Sequence, residues 1–204
     1  MDFNRYAANW DDKGRIERAI ALAKLIEEKI PLDARGAALD FGCGTGLIAF
    51  ELAEAIKTIY CYDSSSEMLK VLSGKITSSG IQNLIVLTED PAQGAEFDKS
   101  FDVIYSSMVF HHVENPAAAL RGLIRLLRPG GKFIMLDLNL DDGSFHEAMA
   151  DFDGRDGFSH AEIREMLSAA SLSEIEVETV FHGKRQLQNG WYDYSLFRAV
   201  GTAG

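Results

Sequence analysis

Short apolar runs alternate with helix-length amphipathic stretches along most of this 204-residue chain, and that alternation constrains the fold more than any other feature. Residues 37–41, 58–62, 84–87, 101–106 and 132–138 are apolar runs of strand length. Between them, residues 16–30 and 47–56 show helical spacing of apolar positions, Ser64 and Glu67 form a capping-box pattern, and Asn115-Pro116 is a helix-start signal. Strands separated by helices on short connections must run parallel, which predicts an α/β doubly wound sheet. The run 132–138 is nearly all apolar, as a strand covered on both faces should be.

The pattern changes after residue 138. Residues 139–158 are rich in Asp and Gly and lack periodicity, and Ser159 with Glu162 opens a further helix to about residue 170. Two β-rich runs follow, 175–181 and 191–200, with no helix between them, so they should pair antiparallel. Five parallel strands and a terminal antiparallel hairpin, seven strands with helices on both faces, are therefore expected.

Charge narrows the partners. The net charge of −11 repels phosphate backbones and anionic lipid, so neither a nucleic acid nor a membrane is expected as partner. Arg121, Arg125 and Arg128 recur at helical spacing but read as a solvated helix face. Residues 1–10 lack an apolar signal core and no run has membrane-spanning length, so a cytoplasmic protein is expected, with Cys43 and Cys61 reduced.

The segment Leu39-Asp40-Phe41-Gly42-Cys43-Gly44-Thr45-Gly46 carries the chemistry. It ends a predicted strand and opens a predicted helix, where glycines permit a sharp turn and close approach of backbone to ligand. A dinucleotide fingerprint needs its third glycine at the sixth position, which here is Leu47. Asp63 closes the second strand, 17 residues after Gly46, and Glu89-Asp90-Pro91 closes the third.

Together with Leu127-Arg128-Pro129-Gly130-Gly131-Lys132, these motifs resemble the class I S-adenosylmethionine-dependent methyltransferases of small-molecule type, over roughly residues 37–138. The resemblance implies a Rossmann-like fold with S-adenosylmethionine as cofactor and S-adenosylhomocysteine as its product. It implies that Asp40, Gly42, Cys43, Gly44 and Gly46 surround the methionine moiety. Asp63 would accept from the ribose hydroxyls, Met68 would cover the adenine, and Asp90 would receive its amino group. The loop Ser106-Ser107-Met108-Val109-Phe110-His111-His112 would face the methyl group, with Ser106 at the cofactor. His112, and after it His111, is the expected general base or acceptor-orienting residue. Tyr6 and Trp10 would belong to an N-terminal lid over the cofactor.

One domain is expected over residues 1–204: a lid and helix (1–30), the cofactor core (37–138) and an acceptor-side loop, helix and hairpin (139–204). The acceptor should be a small molecule, methylated on O, N or C, and the protein a monomer or homodimer. Asp141, Asp142, His146, Glu147, Asp151, Asp153 and His160 show no tight ligand spacing, so no metal is expected and their segment should line the acceptor pocket. An NAD(P)-dependent oxidoreductase and a non-catalytic S-adenosylmethionine-binding domain are the alternative readings.

Overall fold

The computed structural model describes residues 2–147, 152–187 and 190–204. Its strands are β1 (Ala37–Phe41), β2 (Thr58–Tyr62), β3 (Leu84–Leu87), β4 (Phe101–Ser107), β5 (Leu127–Leu138), β6 (Leu172–Leu187) and β7 (Gly190–Ala203). The α-helices are α1 (Lys13–Glu27), α2 (Leu47–Leu52), α3 (Ser66–Ser79), α4 (Pro116–Ile124) and α5 (His160–Ala169). One sheet takes all seven strands in the order β3-β2-β1-β4-β5-β7-β6. Strands β1 to β5 pair parallel, and β7 lies between β5 and β6, antiparallel to both.

Each strand splits its side chains between two helical layers, as a period of two requires. Val103 and Tyr105 of β4 join Leu22, Ile26, Leu52 and Leu72 from α1, α2 and α3. Ile104, between them, joins Leu120, Leu123, Ile163 and Leu167 from α4 and α5 on the other face. Both layers are closed, with Ile26, Val103, Ile104, Tyr105, Leu123 and Leu167 fully buried.

Local chemistry sets the helix starts. Asn115 caps α4 ahead of Pro116, and Ser159 caps α5, both with side-chain oxygens accepting a backbone N–H. The cap of α3 is Ser65, one residue beyond the expected Ser64, because Asp63 Oδ1 accepts the Ser65 N–H at 2.8 Å and holds the chain extended to that point. β5 starts five positions before its apolar run; its register with β4 jumps from Phe101↔Leu127 to Val103↔Lys132, which loops out the Pro-Gly-Gly turn. Of the three arginines at helical spacing, Arg125 and Arg128 are held by Asp98 and Asp102. No helix among the described residues is long and apolar enough to cross a membrane.

The strand order reverses between β1 and β4, which opens a crevice beyond their carboxyl ends. That crevice holds the site.

Candidate functional site

A cleft of about 790 Å³ lies over this switch point, roofed by the N-terminal segment and walled by the segment after β5. Its floor is the β1–α2 turn, where Gly42, Gly44 and Gly46 have φ of 78°, 54° and 81°. A Cβ at Gly42 would run into Val109, whereas at Gly44 the nearest heavy atom is Trp10 Nε1, 3.7 Å away. Gly44 is thus where backbone meets open cleft. Gly46 was expected at the ligand but does not line the cleft; a Cβ there would strike Leu72, so this glycine serves helix packing.

Carboxylates ring one end. Asp63 Oδ2 accepts the Gly44 N–H and Oδ1 the Ser65 N–H, both at 2.8 Å, so one side chain ties the glycine turn to the start of α3. Burial pushes its pKa up, and those two N–H groups oppose the rise. Asp40 is 3% exposed, and burial pushes its carboxyl up to about 8. Asp40 Oδ2 has no hydrogen-bond partner among the described residues, yet the residue borders the cleft. Asp90 caps the turn after β3 by accepting the Ala92 N–H at 2.9 Å, and Met68, Cys43 and Ser64 complete this wall.

Besides Gly46, two expected residues lie elsewhere. Ser106 is fully buried and donates to the Phe41 carbonyl at 2.9 Å, because in a strand neighbouring residues face opposite ways; Ser107 borders the cleft instead. Tyr6 is 46% exposed and off the cleft. Successive 3-10 turns at Phe3–Arg5 and Ala7–Asn9 aim Phe3, Ala7 and Trp10 inward, so Phe3 takes the place expected for Tyr6. The roof is pinned where Asn4 Oδ1 accepts from Ser65 Oγ at 2.8 Å and where Asp11 bonds Thr45 and Lys75.

The opposite end is built from histidines and arginines. The turn Phe110–His112 follows β4, and Asp137 of β5 holds it: Oδ2 accepts the Phe110 N–H at 2.8 Å, and Oδ1 lies 2.5 Å from His111 Nδ1. Burial alone would raise the Asp137 pKa, but its pairing with His111 and the Leu138 N–H hold it below the usual carboxylate range. His146, from the segment after β5, reaches the same place, with ring centroids 5.1 Å from His111 and 5.7 Å from His112. Burial first, then His111 beside it, pushes His112 down to about 3; the same causes push His146 down to about 4. Both rings are therefore neutral imidazoles near neutral pH. Sequence spacing gave no hint that His146 would join the pair.

The remaining candidates lie apart from this cluster. His160 Nε2 lies 2.9 Å from Asn139 Oδ1, outside the cleft, and Asp141 and Asp142 bond the backbone of their own turn at Gly143 and Ser144. Glu147 and Asp153 do not line the cleft, and Asp151 falls outside the described residues. Arg15, Arg18 and Arg185, not singled out by sequence, also border the cleft, with Arg185 near His146 and the other two near Arg185.

A parallel sheet with a ligand cleft at its switch point, a glycine turn below and acidic strand ends beside it defines a nucleoside-cofactor-binding α/β protein. The inserted antiparallel β7 sets it apart from the dinucleotide folds. The methyltransferase-domain family model matches residues 39–135. An uncharacterized methyltransferase of Schizosaccharomyces pombe is 31% identical over 174 residues, 78% of this chain and 60% of that protein. The ubiquinone biosynthesis O-methyltransferase of Xanthomonas oryzae is 34% identical over 141 residues, 67% of this chain and 58% of that protein. The chain therefore spans about three-fifths of the length of these curated relatives. Among solved structures, a methyltransferase of Thermotoga maritima superposes with a TM-score of 0.72 at 19% identity, covering 99% of this chain and 98% of that one. The chain belongs to the class I S-adenosylmethionine-dependent methyltransferases.

The residues present fit that cofactor. The orphaned Asp40 oxygen suits an ammonium group, Asp63 retains lone pairs for a vicinal diol, and the backbone at Gly44 leaves room for the amino-acid moiety.

Proposed function

We propose that this chain catalyses methyl transfer to a small anionic acceptor held between the histidines and the arginines. S-adenosylmethionine supplies a methyl on a cationic sulfonium: the acceptor's lone pair forms the new bond to that carbon, and the carbon–sulfur pair leaves onto sulfur. The protein's own part is alignment and exclusion of water. Phe3 and Trp10 roof the cleft, and Asp137 fixes the turn that faces the reacting end.

The observation that carries the acceptor class is the arginine group. Arg15 is paired with Asp12, but among the described residues Arg18 bonds only the Tyr194 hydroxyl at 3.4 Å and Arg185 only the Phe145 carbonyl at 2.6 Å. Burial, with Arg15 and Arg18 nearby, pulls the Arg185 pKa down. Cations without a carboxylate partner among the described residues, in a chain of net charge −11, suit an acceptor carboxylate or phosphate. The volume, within the roughly 300–1,000 Å³ of small-molecule sites, suits cofactor plus one small acceptor.

Incubation with methyl-labelled S-adenosylmethionine and a fractionated metabolite extract tests this reading. Label should appear in small anions retained on an anion exchanger. Label confined to neutral or cationic products, to protein or to nucleic acid would overturn it.

A further inference from the structure

We propose that His111, His112 and His146 form a three-histidine site for a zinc-class divalent cation at the acceptor end of the cleft. One ring nitrogen from each of the three lies within 4.8 Å of the other two. Nitrogens bound to zinc at about 2.0–2.1 Å stand roughly 3.4 Å apart, so modest ring rotations bring this set to bonding geometry.

Three further observations support a ligand set over mere packing. Both ring nitrogens of His146 and Nδ1 of His112 are buried with no hydrogen-bond partner among the described residues, a costly state for imidazole that a metal bond relieves. His111 Nδ1 is committed to Asp137, which orients the ring and leaves Nε2 its lone pair; a carboxylate behind a ligating histidine is the usual outer arrangement of such sites. An apolar shell encloses the group: Phe152 stacks on His146 at 3.6 Å, and Phe3 meets the His112 ring edge-on at 4.9 Å.

The donor set selects the ion. Imidazole nitrogens favour zinc and its transition-metal neighbours over magnesium or calcium, which take oxygen. Three protein ligands leave a fourth position open, as in catalytic zinc sites. The use of that position rests on the acceptor reading above. An acceptor hydroxyl or thiol that binds there would give up its proton to solvent and be held as the anion, so that no protein base is needed to activate it. Arg185 disfavours a bare dication nearby, and an anionic acceptor offsets both.

The full chain, stripped with chelator and dialysed, should be titrated with Co²⁺ alone and followed by its visible ligand-field bands, with bound zinc counted by elemental analysis. One equivalent per chain with tetrahedral or five-coordinate bands is expected, in the absence of any methyl donor. His146→Ala and His112→Ala should each weaken Co²⁺ binding at least 100-fold, and Asp137→Asn about 10- to 100-fold. Circular dichroism checks that the variants fold, and His146→Gln serves if His146→Ala does not. No ligand-field bands in the wild type, or the same bands in a folded His146 variant, overturns the site. Calorimetry with S-adenosylhomocysteine reads the cofactor assignment separately, so failure of one does not masquerade as failure of the other.

Discussion

His111 Nδ1 and Asp137 Oδ1 face each other at 2.5 Å with neither side chain open to solvent. The pair joins the turn after β4 to the end of β5, and Asp137 also receives the backbone N–H groups of Phe110 and Leu138. Removing one partner leaves the others unpaired in the interior. Asp137→Ala should therefore destabilise the fold by about 3–5 kcal/mol in urea denaturation. The pH dependence has a definite sign. The folded pKa of Asp137 lies below its unfolded value, so its contribution is complete above the unfolded pKa and is lost as pH falls through the folded one. Wild type should lose stability below about pH 4, and Asp137→Asn should lose less. An unchanged midpoint in Asp137→Ala would show that the turn is held by other contacts.

Asp40 behaves in the opposite sense. Its carboxyl is raised from 3.8 to about 8, so the folded protein keeps a proton that the unfolded chain has released. Its stabilising contribution is full below pH 4 and gone once pH passes 8. Between those limits wild type should lose up to about 1.4 kcal/mol per pH unit relative to Asp40→Asn. The same variant should bind S-adenosylhomocysteine more weakly, because a bound ammonium group draws the Asp40 carboxyl into its ionised form and an amide cannot supply that charge. Parallel stability–pH curves for the two proteins would place the Asp40 carboxyl in water.

Asp63 ties two turns and borders the cleft at once. Asp63→Ala should weaken S-adenosylhomocysteine binding by about 1–3 kcal/mol in calorimetry. Gly44→Val should be worse, since φ of 54° strains a branched residue and its methyls would fill the space beside Trp10. Unaltered affinity in a folded Asp63→Ala protein would mean that the ribose is held elsewhere.

Arg18 and Arg185 should act on the acceptor and not on the cofactor. Arg18→Ala and Arg185→Ala are each expected to raise the acceptor KM by about 10-fold or more, with S-adenosylhomocysteine affinity little changed. Steady-state kinetics with the acceptor identified by labelling reads this directly. A KM unmoved in both variants would remove the case for an anionic acceptor.

Much of the cofactor half was legible in the chain because its information is local. The sequence alone determined the strand–helix alternation, the glycine turn at 42–46 and the acidic strand ends Asp40, Asp63 and Asp90, since each follows from dihedral freedom, capping and periodicity within a few residues. Only the tertiary structure decided what lies across the cleft. Tyr6 and Phe3 are equally aromatic in sequence, and the pitch of two 3-10 turns sends one outward and the other in. Ser106 and Ser107 differ only by the period of a strand. His146 is 34 residues from His112, and no spacing rule links them; the ring meets its partners because the segment after β5 folds back over the end of β4. Sites assembled from separate strand ends are long-range contacts, and long-range contacts are a property of the packed sheet.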